Sequence, residues 1–198
     1  MIGRLMRSAT TGYVFGCNLP EPDVPRFGDF VRVPAQRGRI DVIGLVYDIV
    51  VQDDAFVRPL VAAGDLPEEY ILDQRRNRQV PVEVSVLAVG YRLNEPDGDR
   101  SGYIQGLPPQ PPVTLDVIAA CTRDEIAAFT ERLDFLRLVL EAPDAPGEEL
   151  AVVALQRASA ARLVNDRALF LREAGRQVAR LLPRDLPRLE RILRRLAL

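Results

Sequence analysis

The residues that decide the fold run from Ile2 to Tyr47. They read Ile2-Gly3-Arg4-Leu5-Met6, then Ser8-Ala9-Thr10-Thr11, then Gly12-Tyr13-Val14-Phe15-Gly16-Cys17. After a proline-rich turn come Phe27-Gly28-Asp29-Phe30-Val31-Arg32-Val33 and Val42-Ile43-Gly44-Leu45-Val46-Tyr47. Short β-type runs between glycine-marked turns are the pattern of a small closed barrel. Strands are expected at Ile2–Met6, Thr11–Cys17, Phe30–Val33 (stopped by Pro34) and Ile40–Val51. Pro20, Pro22 and Pro25 make the piece between the second and third strands a loop, because proline has no ladder N–H. Gly44, inside the richest β run, predicts a bulge or a close backbone approach.

The pattern changes beyond Val51. Pro67-Glu68-Glu69 looks like a helix start, with proline and acids in the first turn. A helical excursion over about 54–79 is therefore expected to leave the barrel and return. Val80–Leu93 is again β-rich, and Gly102–Leu107 reads as a sixth, short strand.

Pro108-Pro109-Gln110-Pro111-Pro112 predicts a semi-rigid spacer. After it the apolar period switches from two to about 3.6. Thr122 and Glu125 are spaced as a capping box. Ile126, Phe129, Leu133, Leu136 and Leu140 follow at helical spacing, predicting one helix of about five turns. Further helices are expected over Glu148–Ala158, over Asp166–Leu182 with Asn165 as a cap, and from Asp185 to Leu198. The fold class is thus α+β: a six-stranded antiparallel barrel over 1–107 with a helical insertion, a spacer at 108–112 and a helical domain over 113–198.

Composition bounds the chemistry. The 198 residues include no His, no Trp and no Lys. The commonest general base is therefore missing, and neither a Walker A lysine nor a Schiff base can form. No apolar run approaches the ~18 residues of a membrane span, and no apolar stretch follows Arg4 and Arg7 as in a secretory signal. Cys17 and Cys121 are too few and too far apart for a disulfide framework, which points to a reduced, cytoplasmic setting. The charge is uneven. Residues 1–150 carry 15 Arg against 24 acids, a net of −9, while residues 151–198 carry 11 Arg against 4 acids, a net of +7.

Ile2-Gly3 before Ser8-Ala9-Thr10-Thr11, with Phe27-Gly28-Asp29-Phe30-Val31 and Ile43-Gly44-Leu45-Val46, resembles the HAS barrel, the HerA and ATP synthase barrel. The resemblance covers about residues 1–107 and rests on glycine and β-branched patterns, not on catalytic signatures. It implies a collar that packs subunits into a ring or docks a partner. HerA-type translocases continue into a P-loop ATPase; this sequence continues into helices instead. The chain also resembles short bacterial proteins that join such a barrel to a helical segment of the Leu133-Asp134-Phe135-Leu136-Arg137 type. The resemblance thus implies assembly or docking and no motor.

Five sets of residues are candidates for function. Arg172, Arg176, Arg180, Arg184 and Arg188, continued by Arg191, Arg194 and Arg195, recur at helical spacing. They fit phosphate contact with nucleic acid; the plainer reading is a solvated face, or one paired to the acidic N-terminal half. Asp53, Asp54, Asp65, Glu68 and Glu69 lack the order of a cation loop and read as a turn and a helix start. Cys17 and Cys121 have no base to activate them and read as structural. Ser159 and Thr10 lack a nucleophile elbow, and no catalytic role is assigned to them. Leu181, Leu182, Leu186, Leu189 and Leu193 read as local core, with an oligomer seam as the alternative. Gly3, Gly28 and Gly44 are expected to shape the barrel.

No cofactor or metal is expected. The reading favours a non-enzymatic interaction module that oligomerises or docks on a larger complex, a HerA-like DNA-processing ATPase being the partner implied by resemblance. The alternative is nucleic-acid binding by the arginine-rich helices. An enzyme ranks below both, and two close carboxylates in a pocket would be needed to revive it.

Overall fold

The computed structural model describes residues 1–17, 25–51, 67, 69, 82–94 and 102–196. The expected helical excursion falls almost wholly outside these residues, as do Pro20, Pro22 and most of the turn after Asn94.

Seven strands form one sheet: β1 Gly3–Ser8, β2 Gly12–Cys17, β3 Phe30–Ala35, β4 Ile40–Val51, β5 Val82–Leu93, β6 Tyr103–Ile104 and β7 Val117–Ala120. Its order is β2-β1-β7-β3-β4-β5-β6, and an added β2–β5 pairing joins six of the strands into a closed antiparallel barrel. Closure gives each of the six staves a neighbour on both sides. The sixth stave is not the run at 102–107. It is β7, which follows the prolines and pairs with β1 at Gly3↔Ile118 and with β3 at Val31↔Ala120. The run at 102–107 supplies only β6, which pairs with the far end of β5 through Tyr91 and Arg92. β5 thus uses one edge twice, for β2 over Val82–Leu87 and then for β6.

Alternation sorts the side chains. Leu5, Phe15, Val31, Val33, Ile40, Val42, Val46, Val84, Val86 and Ile118 fill the bore. Phe30, Ile43, Leu45 and Val89 point outward and join the helical core. Gly44 marks a register shift against β5. A Cβ there would overlap Val86 and come within 3.0 Å of the Tyr13 hydroxyl. Pro34 lies inside β3 rather than ending it, opposite Asp41 of β4. The other edge of β3 is paired only at Val31 and Arg32, so a residue without an N–H is tolerated at 34.

Five helices appear among the described residues: α1 Arg123–Phe129, α2 Leu136–Leu140, α3 Gly147–Ala160, α4 Val164–Leu181 and α5 Leu186–Leu196. The capping box at Thr122 and Glu125 is present, but the single five-turn helix expected after it is not. α1 stops at Phe129 and α2 begins at Leu136. Residues six apart on a straight helix point about 120° away from each other. The break instead lets Phe129 and Phe135 both face Phe30, with ring centroids 6.2 and 6.3 Å away. α4 starts at Val164 without a side-chain cap, so Asn165 lies inside the helix and not at its cap. Leu182, Ile192 and Leu196 are buried, with Leu181 and Leu189 packed against them. Leu186 is exposed. No described helix is long and apolar enough to cross a membrane.

Candidate interaction surfaces

The helices are fastened to one side of the barrel by polar ties. Alternation turns Arg32, Asp41 and Arg92 outward on β3, β4 and β5, while α1 lays Glu125 over them. Arg92 reaches Asp41 at 2.5 Å and Glu125 at 3.3 Å; Arg32 reaches Glu125 at 3.1 Å and Asp41 at 3.8 Å. Two cations and two anions cancel, so the cluster can sit partly buried. Partial burial works against the Arg92 charge, but the hydrogen bond and charge of Asp41 outweigh it and raise its pKa. Glu125 also accepts from the Thr122 N–H at 2.8 Å, so one carboxylate closes the capping box and ties the helix to the wall.

A second tie lies at the turn before β3. Gly28 has φ +78°, and a Cβ there would overlap Val153 of α3. Asp29 then meets Arg157 at 2.6 Å, and the same guanidinium donates to the Phe27 carbonyl at 3.0 Å. The Gly28-Asp29 pair is thus the seat of α3. Gly3 is equally crowded: a Cβ would overlap the Gly16 carbonyl and the Phe15 ring.

The arginine row divides in two. On α5, Arg188 and Arg191 converge on Glu148 at 3.1 and 2.9 Å, and Arg195 pairs with Glu149. Arg188 also donates to the Leu140 carbonyl at 2.8 Å. Glu148 and Glu149 occupy the first turn of α3, where the helix dipole favours anions. The Arg191 hydrogen bond is the main reason that Glu148 lies below its ordinary pKa. Among the described residues Arg194 meets only the exposed Glu190. On α4, Arg172, Arg176 and Arg180 are exposed on the face opposite the buried Phe170, Ala174 and Val178. Arg176 pairs with Glu173 and Arg180 donates to Gln177. Arg172 and Arg184 have no partner among the described residues.

Of the remaining candidates, Cys17 is buried in the bore. Burial pushes the Cys121 thiol far up and the Glu125 charge adds to this, so it stays protonated. Ser159 is buried and Thr10 is exposed. From the acidic set only Glu69 is described, and it is exposed. Among the described residues no three Cys, Asp or Glu side chains converge as metal ligands would. A half-open groove of about 370 Å³ separates the β1–β2 turn from the Ala142–Ala145 loop. Arg7, Ser8, Thr11, Tyr47, Ser85 and Asp144 line it, so it holds one carboxylate.

The opposite wall of the barrel carries a surface that the sequence did not mark. Met6, Val113, Leu115 and Val117 are 46%, 65%, 66% and 37% exposed, although each is large and apolar. The fold brings their two segments together: Arg4 pairs with Val117, and the Leu115 N–H donates to the Leu5 carbonyl at 2.9 Å. Leu115 has φ +73°, which costs a residue with a Cβ about 1–2 kcal/mol. Four bonds hold it there. They are its own N–H to Leu5, Asp116 N–H to Val113, Val113 N–H to the Asp116 carboxylate, and Arg4 to the Leu115 carbonyl.

The class defined so far is an antiparallel β-barrel protein with a helical layer on one wall and an apolar patch on the other. No protein-family model matches the chain, and no curated protein compared with it matches either.

Proposed function

We propose that this chain is a non-enzymatic assembly module whose bare barrel wall packs against another protein surface, a second copy of itself first. The observation that carries the reading is Leu115. An apolar side chain two-thirds exposed, on a left-handed backbone fixed by four hydrogen bonds, gains the fold nothing by packing. Strain of this kind is kept where the surroundings impose it, and it marks working surfaces. Met6, Val113 and Val117 add further exposed apolar side chains on the same two paired segments, and exposed apolar surface of this kind marks protein contacts. The helical layer leaves this wall free because it is committed to β3, β4 and β5. The resemblance to collar-type barrels supports the same reading and makes a HerA-like DNA-processing ATPase the larger partner to test next.

The experiment is light scattering after size exclusion at high micromolar concentration. The expected result is a defined oligomer that Val117→Asp and Leu115→Gly both weaken. Leu115→Gly also relieves the left-handed strain, so its melting temperature should hold or rise while association falls. A monodisperse monomer at every concentration would overturn self-assembly, as would variants that assemble like the wild type.

A further inference from the structure

We propose that the outward face of α4 binds the phosphate backbone of double-stranded nucleic acid without reading sequence, through Arg172, Arg176 and Arg180. This goes beyond the assembly reading and does not depend on it, since the apolar patch lies on the barrel and the arginines on a helix.

Position comes first. Burial of Phe170, Ala174 and Val178 fixes which side of α4 faces the protein. The three arginines, spaced by four, therefore project together into solvent. Each step of four advances about 6 Å along the helix. Charges along one strand of a duplex recur every ~3.4 Å of axis, and the winding of the strand sets consecutive phosphates about twice that far apart in space, so successive arginines match neighbouring phosphates.

Availability comes second. The chain has two arginine sets of similar charge on consecutive helices and uses them differently. Of those on α5, Arg194 meets the exposed Glu190, and Arg188, Arg191 and Arg195 are taken up by Glu148 and Glu149 and by the last carbonyl of α2. Those of α4 are not. Arg172 is unpartnered among the described residues, as is Arg184 in the turn after the helix, and Arg180 shares a neutral amide at 3.4 Å. Arg176 meets Glu173 with both side chains more than half exposed, a kind of pair that contributes little and is readily exchanged for a phosphate.

Chemistry selects the ligand. Guanidinium groups fit phosphate oxygens two at a time. The face has no aromatic ring on which bases could stack; Phe170 is buried, with the Arg162 guanidinium 3.7 Å above it. That excludes the usual single-strand platform and favours backbone contact. A protein partner needs apolar anchors among the charges. This face has one, Leu169, 55% exposed about a turn before Arg172; between Arg172 and Arg180 no large apolar residue is exposed, so charge outweighs apolar contact along the row.

The test is fluorescence anisotropy of a labelled random-sequence duplex with the full chain over a salt series. Affinity should fall with salt with a log–log slope of roughly −3, about 0.9 for each phosphate contact. Arg172→Ala/Arg176→Ala keeps good helix formers and should reduce the slope by about 2. Arg172→Glu/Arg176→Glu/Arg180→Glu should abolish binding. Arg191→Gln/Arg195→Gln removes two charges from α5; it should leave the slope unchanged and lower the melting temperature. The proposal is overturned by absence of duplex binding at the lowest salt, or by affinity that does not respond to salt. It is equally overturned by α4 variants that bind like the wild type, or by polyglutamate bound more tightly than the duplex.

Discussion

Tyr13 fills the barrel bore with its ring and carries its hydroxyl to the spot where Gly44 lacks a Cβ. That oxygen is buried and has no hydrogen-bond partner among the described residues, and burial raises its pKa well above the ordinary tyrosine value. A buried polar atom without a partner costs about 1–3 kcal/mol. Tyr13→Phe keeps the ring and removes the oxygen. It should stabilise the protein by about 1 kcal/mol, read as a rise in the denaturant midpoint at unchanged slope; a lower midpoint would mean that the hydroxyl is bonded. Residue-scale legibility follows from how local each cause is. Gly44 could be marked because a glycine inside a β run has few other uses. Leu115 could not, since leucine disfavours the left-handed region and the bonds that force it there come from β1. The Arg32–Asp41–Arg92–Glu125 cluster was hidden for the same reason: its members are far apart in sequence and meet only through strand register.

At the scale of elements, the signals that were read correctly are those contained in one segment. The capping box at Thr122 needs four residues, and the α5 stripe needs eleven. The break between α1 and α2 is imposed from outside. The Gln105 side chain donates to the Phe129 and Arg132 carbonyls and accepts from the Phe135 N–H at 2.8 Å. Arg162 takes the Ala127 and Thr130 carbonyls. The groups left orphaned at the helix ends are thus satisfied by distant residues, and apolar spacing alone carries no trace of them. α3 and α5 give an element-scale prediction through Glu148. Its folded pKa is lowered, so its contribution is fully present above the ordinary carboxylate value of 4.5 and is lost as pH falls through the folded value. Glu148→Gln should lower stability by roughly 0.5–1 kcal/mol near neutrality, as half-exposed pairs do. Melting curves of variant and wild type should converge below pH 4.5, and a gap that widened on acidification would refute the linkage.

At the scale of the whole molecule, the barrel class and its number of staves were legible because alternation and glycine turns repeat along the chain. The closing stave was not. Val117–Ala120 is too short to show a period, and it stands beyond four prolines that look like a boundary. Its position has an energetic consequence. Without β7, β1 and β3 each keep an unpaired edge, and without the helices Phe30, Ile43, Leu45 and Val89 lose their cover. Burying one such side chain contributes about 1.5–3 kcal/mol, so losing four of them rivals the whole stability of an ordinary domain. A fragment ending at Leu107 should therefore aggregate or stay unfolded. The full chain should melt in one step, with the helical circular-dichroism signal and tyrosine fluorescence following the same curve. Tyr13 and Tyr91 report from the bore of the barrel, and the helices dominate the far-ultraviolet signal. Two separated transitions, or a soluble and cooperatively folded fragment 1–107, would show that the barrel stands without the strand and helices that follow the prolines.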